Sequence, residues 1–201
     1  MKSEAARCLA VRRVTQDNRG KNTAGMDGVK TVSPAQRSRL VVLLGQPDAI
    51  RPRPTRRVWI PKPGKTEKRP LGIPVMLDRA HQALVKLALE PEWEARFEPN
   101  TYGFRPGRSV HDAIGALFQM LCFKDKYVLD ADIQGCFDNI AHLPLLDKLA
   151  TYPKLRQTIK GWLKAGVLAD GTWQPTERGS PQGGVVSPLL ALIALHGLET
   201  A

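Results

Sequence analysis

The sequence lacks the features of a secreted or membrane-spanning protein. Its three cysteines, Cys8, Cys122 and Cys136, show no CxxC or histidine-paired spacing. This argues against a disulfide framework and a structural zinc site, and it favours a reducing compartment. The N-terminus has no apolar stretch of the kind that a signal peptide needs. The most apolar tract, residues 185–198, is interrupted by a Ser-Pro pair and is too short to span a bilayer. These absences predict an intracellular chain with no membrane partner.

The chain is also short of acidic residues. It has 30 Lys and Arg against 19 Asp and Glu, for a net charge of +11. The excess is uneven: residues 1–50 hold nine basic residues against four acidic ones, and residues 51–70 hold eight against one. A block this basic predicts binding to a phosphate-bearing polyanion, with an affinity that falls steeply as salt rises.

Length and composition predict a globular chain with one core, or one domain plus an extension. Of the 201 residues, 42% are hydrophobic and 24% are charged. Apolar periodicity and turn residues predict an α+β chain rich in helices. Helices are expected over 4–14, 35–44, 76–97, 109–123, 143–151 and 154–165, with a last one from Ser187. Pro91 is a candidate break within 76–97, and Ser109 with Asp112 forms a candidate capping box for the helix that follows. Hairpins are expected over 53–74 and 167–173, and a strand over 127–133.

The stretch "VLDADIQGCFDNI", residues 128–140, places two carboxylates at the end of the predicted strand. A carboxylate buried there needs a positive partner. Asp132 at the strand tip is a candidate magnesium ligand, because Mg²⁺ prefers a few carboxylate oxygens together with substrate phosphates. Pairing with Arg or Lys, or capping of the turn, is the alternative. That alternative is favoured for Asp130 and left open for Asp132.

Four motifs occur in order: "IPKPGKTEKRPLGIP", "YGFRPGRS", "DADIQGCFDNI" and "GSPQGGVVSPLL". Together they closely resemble the reverse transcriptase domain of bacterial group II intron-encoded proteins, the reverse transcriptase/maturase family. The segment "AVRRVTQDNRGKNTAGMDGV" resembles that family's N-terminal extension. The resemblance covers nearly the whole chain. It implies an incomplete right-hand polymerase fold in the bacterial cytoplasm or nucleoid, with an N-terminal extension (1–34), fingers (35–125) and a partial palm (126–201).

The resemblance assigns a catalytic and metal-binding role to Asp132. Together with the backbone carbonyl of Ile133, Asp132 is expected to bind two Mg²⁺ ions that activate a primer hydroxyl and steady the triphosphate of an incoming deoxynucleotide. Phe137 matches the position beneath the incoming sugar, where a ring selects deoxynucleotides. An ordinary core aromatic is the alternative for Phe137.

The same resemblance places further residues around the nucleotide. Gln182 and Gly183 are expected to approach it, although a glycine turn before the last helix explains this pair equally well. Lys62 and Arg69, on facing arms of the first hairpin, match cations that grip the triphosphate.

RNA contacts are expected from two loops. One contains Tyr102, Phe104, Arg105 and Arg108, whose interleaved aromatic and basic side chains suit a template strand. Anchoring of this loop to the core is an equal alternative for Tyr102 and Phe104. Residues Arg19 and Lys21, in the other loop, are expected to contact template or intron RNA.

The sequence departs from the family pattern in one respect. Family members follow "SPLL" with a Tyr-Ala-Asp-Asp hairpin that supplies another metal ligand, and this sequence has no Asp-Asp pair. The thumb and maturase regions are also missing. We therefore expect a fragment that holds Mg²⁺ too loosely for synthesis and associates with the missing remainder. Its partners would be intron or template RNA, primer or target DNA, and deoxynucleoside triphosphates.

Two other functions are considered. A catalytically inactive, maturase-like RNA-binding module would use the same basic surface without synthesis. A nucleotide-sugar transferase would use Asp130-x-Asp132 as its metal motif. The transferase also needs a nucleotide-binding βαβ unit at its start, which the sequence does not show, and it leaves the basic block unexplained.

Overall fold

The computed structural model describes residues 3–64, 66–123 and 125–198. The helices are α1 (Glu4–Arg12), α2 (Pro34–Leu44), α3 (Met76–Glu94), α4 (Val110–Leu121), α5 (Cys136–Asn139), α6 (His142–Leu149), α7 (Pro153–Leu163) and α8 (Ser187–Leu195). The strands are β1 (Thr55–Pro61), β2 (Lys68–Ile73), β3 (Val167–Ala169) and β4 (Thr172–Gln174). A π-helical turn (Arg13–Asp17) and 3₁₀ turns (Arg19–Asn22 and Pro47–Ala49) complete the assignment. In these ranges no helix is long and apolar enough to cross a membrane. The predicted α+β class is confirmed.

Capping boxes fix the starts of two predicted helices. Ser33 caps α2, and its amide donates a 2.8 Å hydrogen bond to Oε1 of Gln36. Ser109 caps α4 in the same way, with its amide donating to Asp112 over 2.7 Å. Each box satisfies amides that the first helical turn leaves without partners. The predicted Ser109–Asp112 box is therefore confirmed.

Both predicted hairpins form, and they join in one sheet of order β2-β1-β3-β4. Strands β1 and β2 are antiparallel, whereas β3 pairs with β1 in parallel, with Thr55 opposite Val167. The β3–β4 turn places Asp170 at φ 50° and Gly171 at φ 80°, as a two-residue hairpin turn requires. The joining was not predicted. It places the segment after α7 directly beside the basic hairpin β1–β2, which we call the fingers hairpin.

Helix α3 links two clusters of buried side chains. Its first half packs with α1 and α2 around Ala10, Leu44 and Leu84. Its second half packs with α6, α7 and α8 around Trp93 and other buried residues. Pro91 was predicted as a possible break, but it lies inside an uninterrupted α3. The shared helix fixes the position of the fingers hairpin relative to the last helices.

The predicted strand over 127–133 is wrong. This segment is coil, and every residue in it is exposed, with Leu129 reaching 91%. A strand requires a partner for its backbone groups, and the described residues offer none to this segment. The palm sheet expected around it is therefore not formed within the described ranges. Asp130 and Asp132 are exposed, so neither is the buried carboxylate that the sequence predicted.

Helix α4 is similarly uncovered. It contains no buried residue, and Phe118 on it is 69% exposed. We call α4 and residues 127–133 together the exposed apolar face. Large apolar side chains exposed in such number are unusual on a monomeric protein and are typical of a surface that another element covers.

Candidate nucleotide and nucleic-acid site

The SPQG segment, residues 180–183, is bound to the fingers hairpin. The amide of Gly72 in β2 donates to the carbonyl of Gln182 over 2.6 Å. Gly183 has φ +107°, and a Cβ there would lie 2.7 Å from the Gly72 carbonyl oxygen. Only glycine fits both conditions. The turn interpretation of Gly183 is thus supported, while its contact with a nucleotide stays a prediction.

Two further hydrogen bonds fix the chain after the SPQG segment. The Ser187 hydroxyl donates to the Pro181 carbonyl over 2.9 Å, and the Val185 amide donates to Gln82 Oε1 over 2.8 Å. Gln82 lies on α3 and is buried. The segment is therefore held between the sheet and the central helix, which gives Gln182 a defined location.

A cavity of about 80 Å³ opens between the fingers hairpin, the end of α7 and residues 176–182. Thr55 and Ser180 line it, and their buried hydroxyls find no hydrogen-bond partner among the described residues. Arg57 and Arg178 add positive charge, and Gln182 completes the polar lining. Unpaired buried hydroxyls beside cations suit a ligand that carries phosphate or other hydrogen-bonding groups.

No sequence motif indicated Thr55, Arg57, Arg178 or Ser180. A signal was available for β1, because alternate residues of a strand share a face. Arg57 also lies over the ring of Trp59, 5.8 Å from its centroid, and Trp59 is exposed. A cation and an aromatic ring on one strand face are typical of surfaces that stack single-stranded bases.

Lys62 and Arg69 lie towards the turn end of the fingers hairpin. Lys62 forms a 2.7 Å ion pair with Glu67, which holds the pKa of that carboxyl below its usual range. Arg69 is exposed on β2 opposite Ile60 and has no ion pair within the described part of the chain. Of the two predicted triphosphate ligands, Arg69 is thus the one free to bind an anion without breaking an existing pair.

The N-terminal loop that carries Arg19 and Lys21 is held by two arginines. Arg79 donates from Nε to the Pro74 carbonyl over 2.8 Å and from its terminal nitrogens to the carbonyls of Gly20 and Thr23. From β1, Arg56 donates twice to the Ala24 carbonyl, over 3.0 and 2.7 Å. No sequence motif indicated either arginine. Their carbonyl partners leave no mark in a sequence, because every residue type offers a carbonyl.

Arg19 and Lys21 themselves face different surroundings. Arg19 is exposed, and Lys21 is half-buried and donates to the Gln16 carbonyl over 2.8 Å. Their predicted contact with RNA is compatible with these positions and stays a prediction.

Arg105 is the buried member of its loop. It is only 8% exposed, and its guanidinium pairs with Glu94 at 2.6 Å while also donating to the carbonyls of Glu98 and Thr101. A cation enclosed by a carboxylate and two carbonyls holds the loop to the end of α3. The predicted template contact of Arg105 stays a prediction, and it would require the guanidinium to leave these partners.

The other members of this loop are more accessible. Arg108 lies 5.4 Å from the Tyr102 ring centroid, over its face. Phe104 is exposed at φ 60°, and its ring meets that of Phe137 edge-on at 6.0 Å. A non-glycine residue at positive φ is uncommon. The structure thus brings the predicted template residue Phe104 next to the predicted sugar-selecting residue Phe137, which is half-buried against the core.

The described residues do not fit a complete magnesium site. Asp132 and Ile133 lie on exposed coil. Within the described ranges no group of three His, Cys, Asp or Glu side chains is placed to hold a metal ion. One carboxylate and one carbonyl are fewer ligands than a pair of catalytic Mg²⁺ ions requires.

A basic hairpin, a bound SPQG segment and a buttressed N-terminal loop agree with the reverse transcriptase fold that the four motifs predicted. The chain belongs to the reverse transcriptase (RNA-dependent DNA polymerase) family, which matches residues 60–200. The N-terminal domain of reverse transcriptase matches residues 1–44. The resemblance predicted from the four motifs is confirmed.

Similar curated proteins come from the group II intron lineage. The group II intron-encoded protein LtrA of Lactococcus lactis subsp. cremoris is 40% identical over 151 residues, which are 74% of this chain and 25% of LtrA. Protein YkfC of Escherichia coli K12 is 34% identical over 198 residues, which are 93% of this chain and 52% of YkfC. The chain thus spans a quarter to about half of the length of these relatives.

A solved structure shares the fold. A chain of a partial Cas6-RT-Cas1–Cas2 complex superposes with a TM-score of 0.58 at 20% identity, covering 97% of this chain and 34% of that one. The likeness extends over almost the whole of the present chain, so the fold found here is that of a reverse transcriptase.

Proposed function

We propose that this chain is the N-terminal part of a group II intron reverse transcriptase and that it binds intron or template RNA. The observation that carries the proposal is the attachment of the SPQG segment to the basic fingers hairpin through Gly72 and Gln182. This junction creates a cavity with two arginines and two unpaired hydroxyls. Family membership and the similarity to LtrA and YkfC support the same function.

The RNA strand is proposed to follow the basic and aromatic side chains that the fold leaves exposed. Arg57 and Trp59 on β1, Arg69 on β2 and Arg19 in the N-terminal loop offer charge and a stacking ring. Cations of this kind bind the phosphate backbone, and aromatic rings stack on unpaired bases. In the complete polymerase, Gln182 and Phe137 would face the incoming deoxynucleotide, and the primer or target DNA would lie across the palm.

RNA-directed DNA synthesis is proposed for the complete protein and not for this chain by itself. The family uses this activity, but the described residues provide a single exposed carboxylate at the expected metal position. Synthesis requires further ligands, which we propose come from the remainder of the polymerase fold. That remainder would also cover the exposed apolar face and pair with residues 127–133.

The second candidate is a maturase-like RNA-binding module without synthesis. It is favoured by the contrast between the ordered fingers side and the uncovered segment around Asp132. It shares the RNA-binding surface with the first candidate, and a measurement of synthesis separates the two.

The experiment has two arms on the same purified chain. Fluorescence anisotropy with a structured RNA at several salt concentrations should give a steep decline of affinity with salt. Arg69→Gln should lower the slope of log K against log salt by about 0.7 for a single-stranded contact. Lys160→Gln, an exposed change on α7, is the matched control and should leave the slope unchanged. RNA affinity that is insensitive to salt would overturn the proposal.

In the second arm, primer extension with Mg²⁺ is measured with the chain alone and with a complementing C-terminal part of a group II reverse transcriptase. Synthesis only in the complemented sample supports the first candidate. RNA binding without synthesis in either sample supports the maturase-like module. If the chain alone synthesises DNA and Asp132→Ala abolishes this synthesis, the chain completes its own metal site.

A further inference from the structure

The second hairpin, β3–β4, carries a tryptophan that the function proposed above does not use. Trp173 lies at the centre of β4 and is 53% exposed. Within the described residues β4 is an edge strand of the sheet, and all three of its side chains are exposed. Tryptophan is enriched at the positions that contribute most to binding, so Trp173 is a candidate contact.

Two features hold the ring of Trp173 in place. Its Nε1 donates to the Ala165 carbonyl over 3.3 Å, and this bond satisfies the only polar atom of the indole. Gly166 makes room for the ring, because it has φ +83° and a Cβ there would lie 2.8 Å from Cε2 of Trp173. The exposed part of the side chain is therefore a carbon surface in a fixed orientation, and a ligand that stacks on it does not have to order it first.

The hairpin that carries Trp173 is anchored to the fingers hairpin. The Thr55 amide, at the start of β1, donates to the Gly166 carbonyl over 3.0 Å. Strand β3 then pairs with β1 and with β4, so that Arg56, Leu168 and Trp173 are register partners across the three strands. Register partners lie on the same face of a sheet. Trp173 therefore shares a face with Arg56.

This face is not the one that carries Arg57 and Trp59. Successive residues of a strand point to opposite faces, so Arg57 and Trp59 lie on the other side of β1 from Arg56. Through its two hydrogen bonds to the Ala24 carbonyl, Arg56 holds the N-terminal loop. Trp173 thus lies on the side of the sheet to which the N-terminal loop is attached, and the proposed template surface lies on the opposite side.

A cation lies next to the ring of Trp173. Lys164 caps the C-terminal end of α7 and directly precedes Ala165, whose carbonyl accepts the indole hydrogen bond. The Lys164 side chain is exposed and forms no ion pair with any residue that the structure describes. A rigid aromatic surface beside a free ammonium group matches a nucleotide of a single strand, which offers a base for stacking and a phosphate for the cation.

We propose that Trp173 stacks on one unpaired base of a bound RNA and that Lys164 binds a phosphate of the same strand. The inference rests on the proposed function, since the ligand is the RNA that the chain is proposed to bind. RNA is favoured over a protein partner by the free cation beside the ring and by the net charge of +11. The site would hold a single-stranded segment on the N-terminal side of the sheet, while the template follows the opposite face.

The test follows the indole Nε1 signals of the four tryptophans by NMR in ¹⁵N-labelled chain. Oligouridylate and inorganic polyphosphate are titrated separately. Oligouridylate should shift the Trp173 signal, whereas polyphosphate, which has no base, should not. Trp93 and Trp162 are internal controls, because they are only 2% and 6% exposed and their signals should stay in place.

Variants measure what each side chain contributes. Trp173→Ala should weaken binding of an RNA with a single-stranded extension by about fivefold to a hundredfold, and it should leave the affinity for fully double-stranded RNA unchanged. Trp173→Phe keeps an aromatic ring and should weaken binding less. Tyr152→Ala removes a ring that is 50% exposed before the start of α7 and is the matched control. Lys164→Gln should lower the slope of log K against log salt by about 0.7, whereas Lys160→Gln should not.

The outcomes separate this inference from the proposed function. A Trp173 signal that does not respond to oligouridylate, or responds equally to polyphosphate, overturns the stacking site, and this result requires no variant to fold. If Arg69→Gln lowers the salt slope while Trp173→Ala and Lys164→Gln leave RNA binding unchanged, the proposed function stands and this inference fails. If the chain binds no structured RNA but oligouridylate shifts Trp173, the proposed function fails and the stacking site stands.

One further result would overturn the site in favour of a protein contact. In the complementation assay, Trp173→Ala could abolish synthesis while the RNA affinity of the chain stays at its native value. The ring would then contact the remainder of the polymerase and not RNA.

Discussion

Gly72 and Gln182 are more than a hundred positions apart in the sequence, and their backbones are joined by a 2.6 Å hydrogen bond from the Gly72 amide to the Gln182 carbonyl. The bond extends the edge of β2 into the SPQG segment. Gly183 follows directly and touches the same glycine. The two glycine-containing motifs therefore pack as one unit, and their contact leaves no room for a Cβ at Gly72 or Gly183.

Gly183→Ala should destabilise the chain and open the junction. Alanine at φ +107° is strained, and its Cβ would lie 2.7 Å from the Gly72 carbonyl oxygen. We expect the free energy of unfolding to fall by about 1–3 kcal/mol. Urea denaturation measures this. Gly103→Ala is the matched control, because Gly103 is not at positive φ and a Cβ there meets nothing within 4 Å. Equal stability of both variants would contradict the proposed constraint.

Arg79→Met should release the N-terminal loop. The change removes hydrogen bonds to the carbonyls of Pro74, Gly20 and Thr23, and it leaves those carbonyls to find other partners. A hydrogen bond from a charged donor contributes about 1.5–3 kcal/mol to stability. We therefore expect the free energy of unfolding to fall by at least that amount. Hydrogen exchange should show faster exchange around residues 20–24.

The control for Arg79 is Arg96→Met. Arg96 forms an exposed pair with Glu92 at 2.7 Å, and such surface pairs contribute about 0–1 kcal/mol. If Arg79→Met lowers the free energy of unfolding no more than Arg96→Met does, the loop does not depend on the buried guanidinium.

The sequence predicted the elements whose signals are local. The Ser109–Asp112 capping box, the hairpin over 53–74 and the amphipathic helix α3 each depend on neighbouring residues, and each is confirmed. These successes share one cause, which is that the informative residues are close together in the chain.

The failures have a different physical origin. The tract 127–133 has the composition of a strand, but strand formation depends on a partner that composition does not reveal. The pairing of Arg105 with Glu94 was not predicted, because it arises only in the folded chain. The roles of Arg79 and of the unpaired hydroxyl of Thr55 depend equally on tertiary contacts. Local patterns predict elements, and the folded structure decides which polar groups remain available.

Two neighbouring groups on α3 should give opposite pH dependences. Burial raises the pKa of Asp78 to about 6, against the opposing effect of the Arg53 amide that donates to it over 3.0 Å. The unfolded carboxyl, near 3.8, loses its proton first. Stability from Asp78 therefore falls as pH rises from about 4 to about 6, by about 3 kcal/mol. Burial lowers the pKa of His81 from 6.5 to about 4. The unfolded histidine therefore takes up its proton first, and the stability of the chain falls as pH falls through the same window.

The two effects should nearly cancel in the native chain between pH 4 and 6. Removing one of the two titratable side chains should reveal the pH dependence that the other gives. His81→Phe should become more stable as pH falls from 6 to 4, whereas Asp78→Asn should become less stable over that range. Urea denaturation at five pH values measures both slopes. Slopes of the same sign in the two variants would show that at least one of these groups does not titrate as its burial implies.

The exposed apolar face should be dispensable for the stability of this chain. Ile114 and Phe118 lie one helical turn apart on α4, and both are largely exposed. The double change Ile114→Glu with Phe118→Glu should therefore alter the free energy of unfolding by no more than about 0.5 kcal/mol for each site. It should also reduce self-association, as measured by light scattering against concentration, because an uncovered apolar patch favours aggregation. Leu84→Ala, on the buried side of α3, is the contrasting change and should cost about 2–5 kcal/mol. A loss of similar size from the α4 variant would show that this face is already packed within the chain.

In the complementation assay, the same variant should fail to restore synthesis, because the face that the remainder of the polymerase covers would then carry two charges.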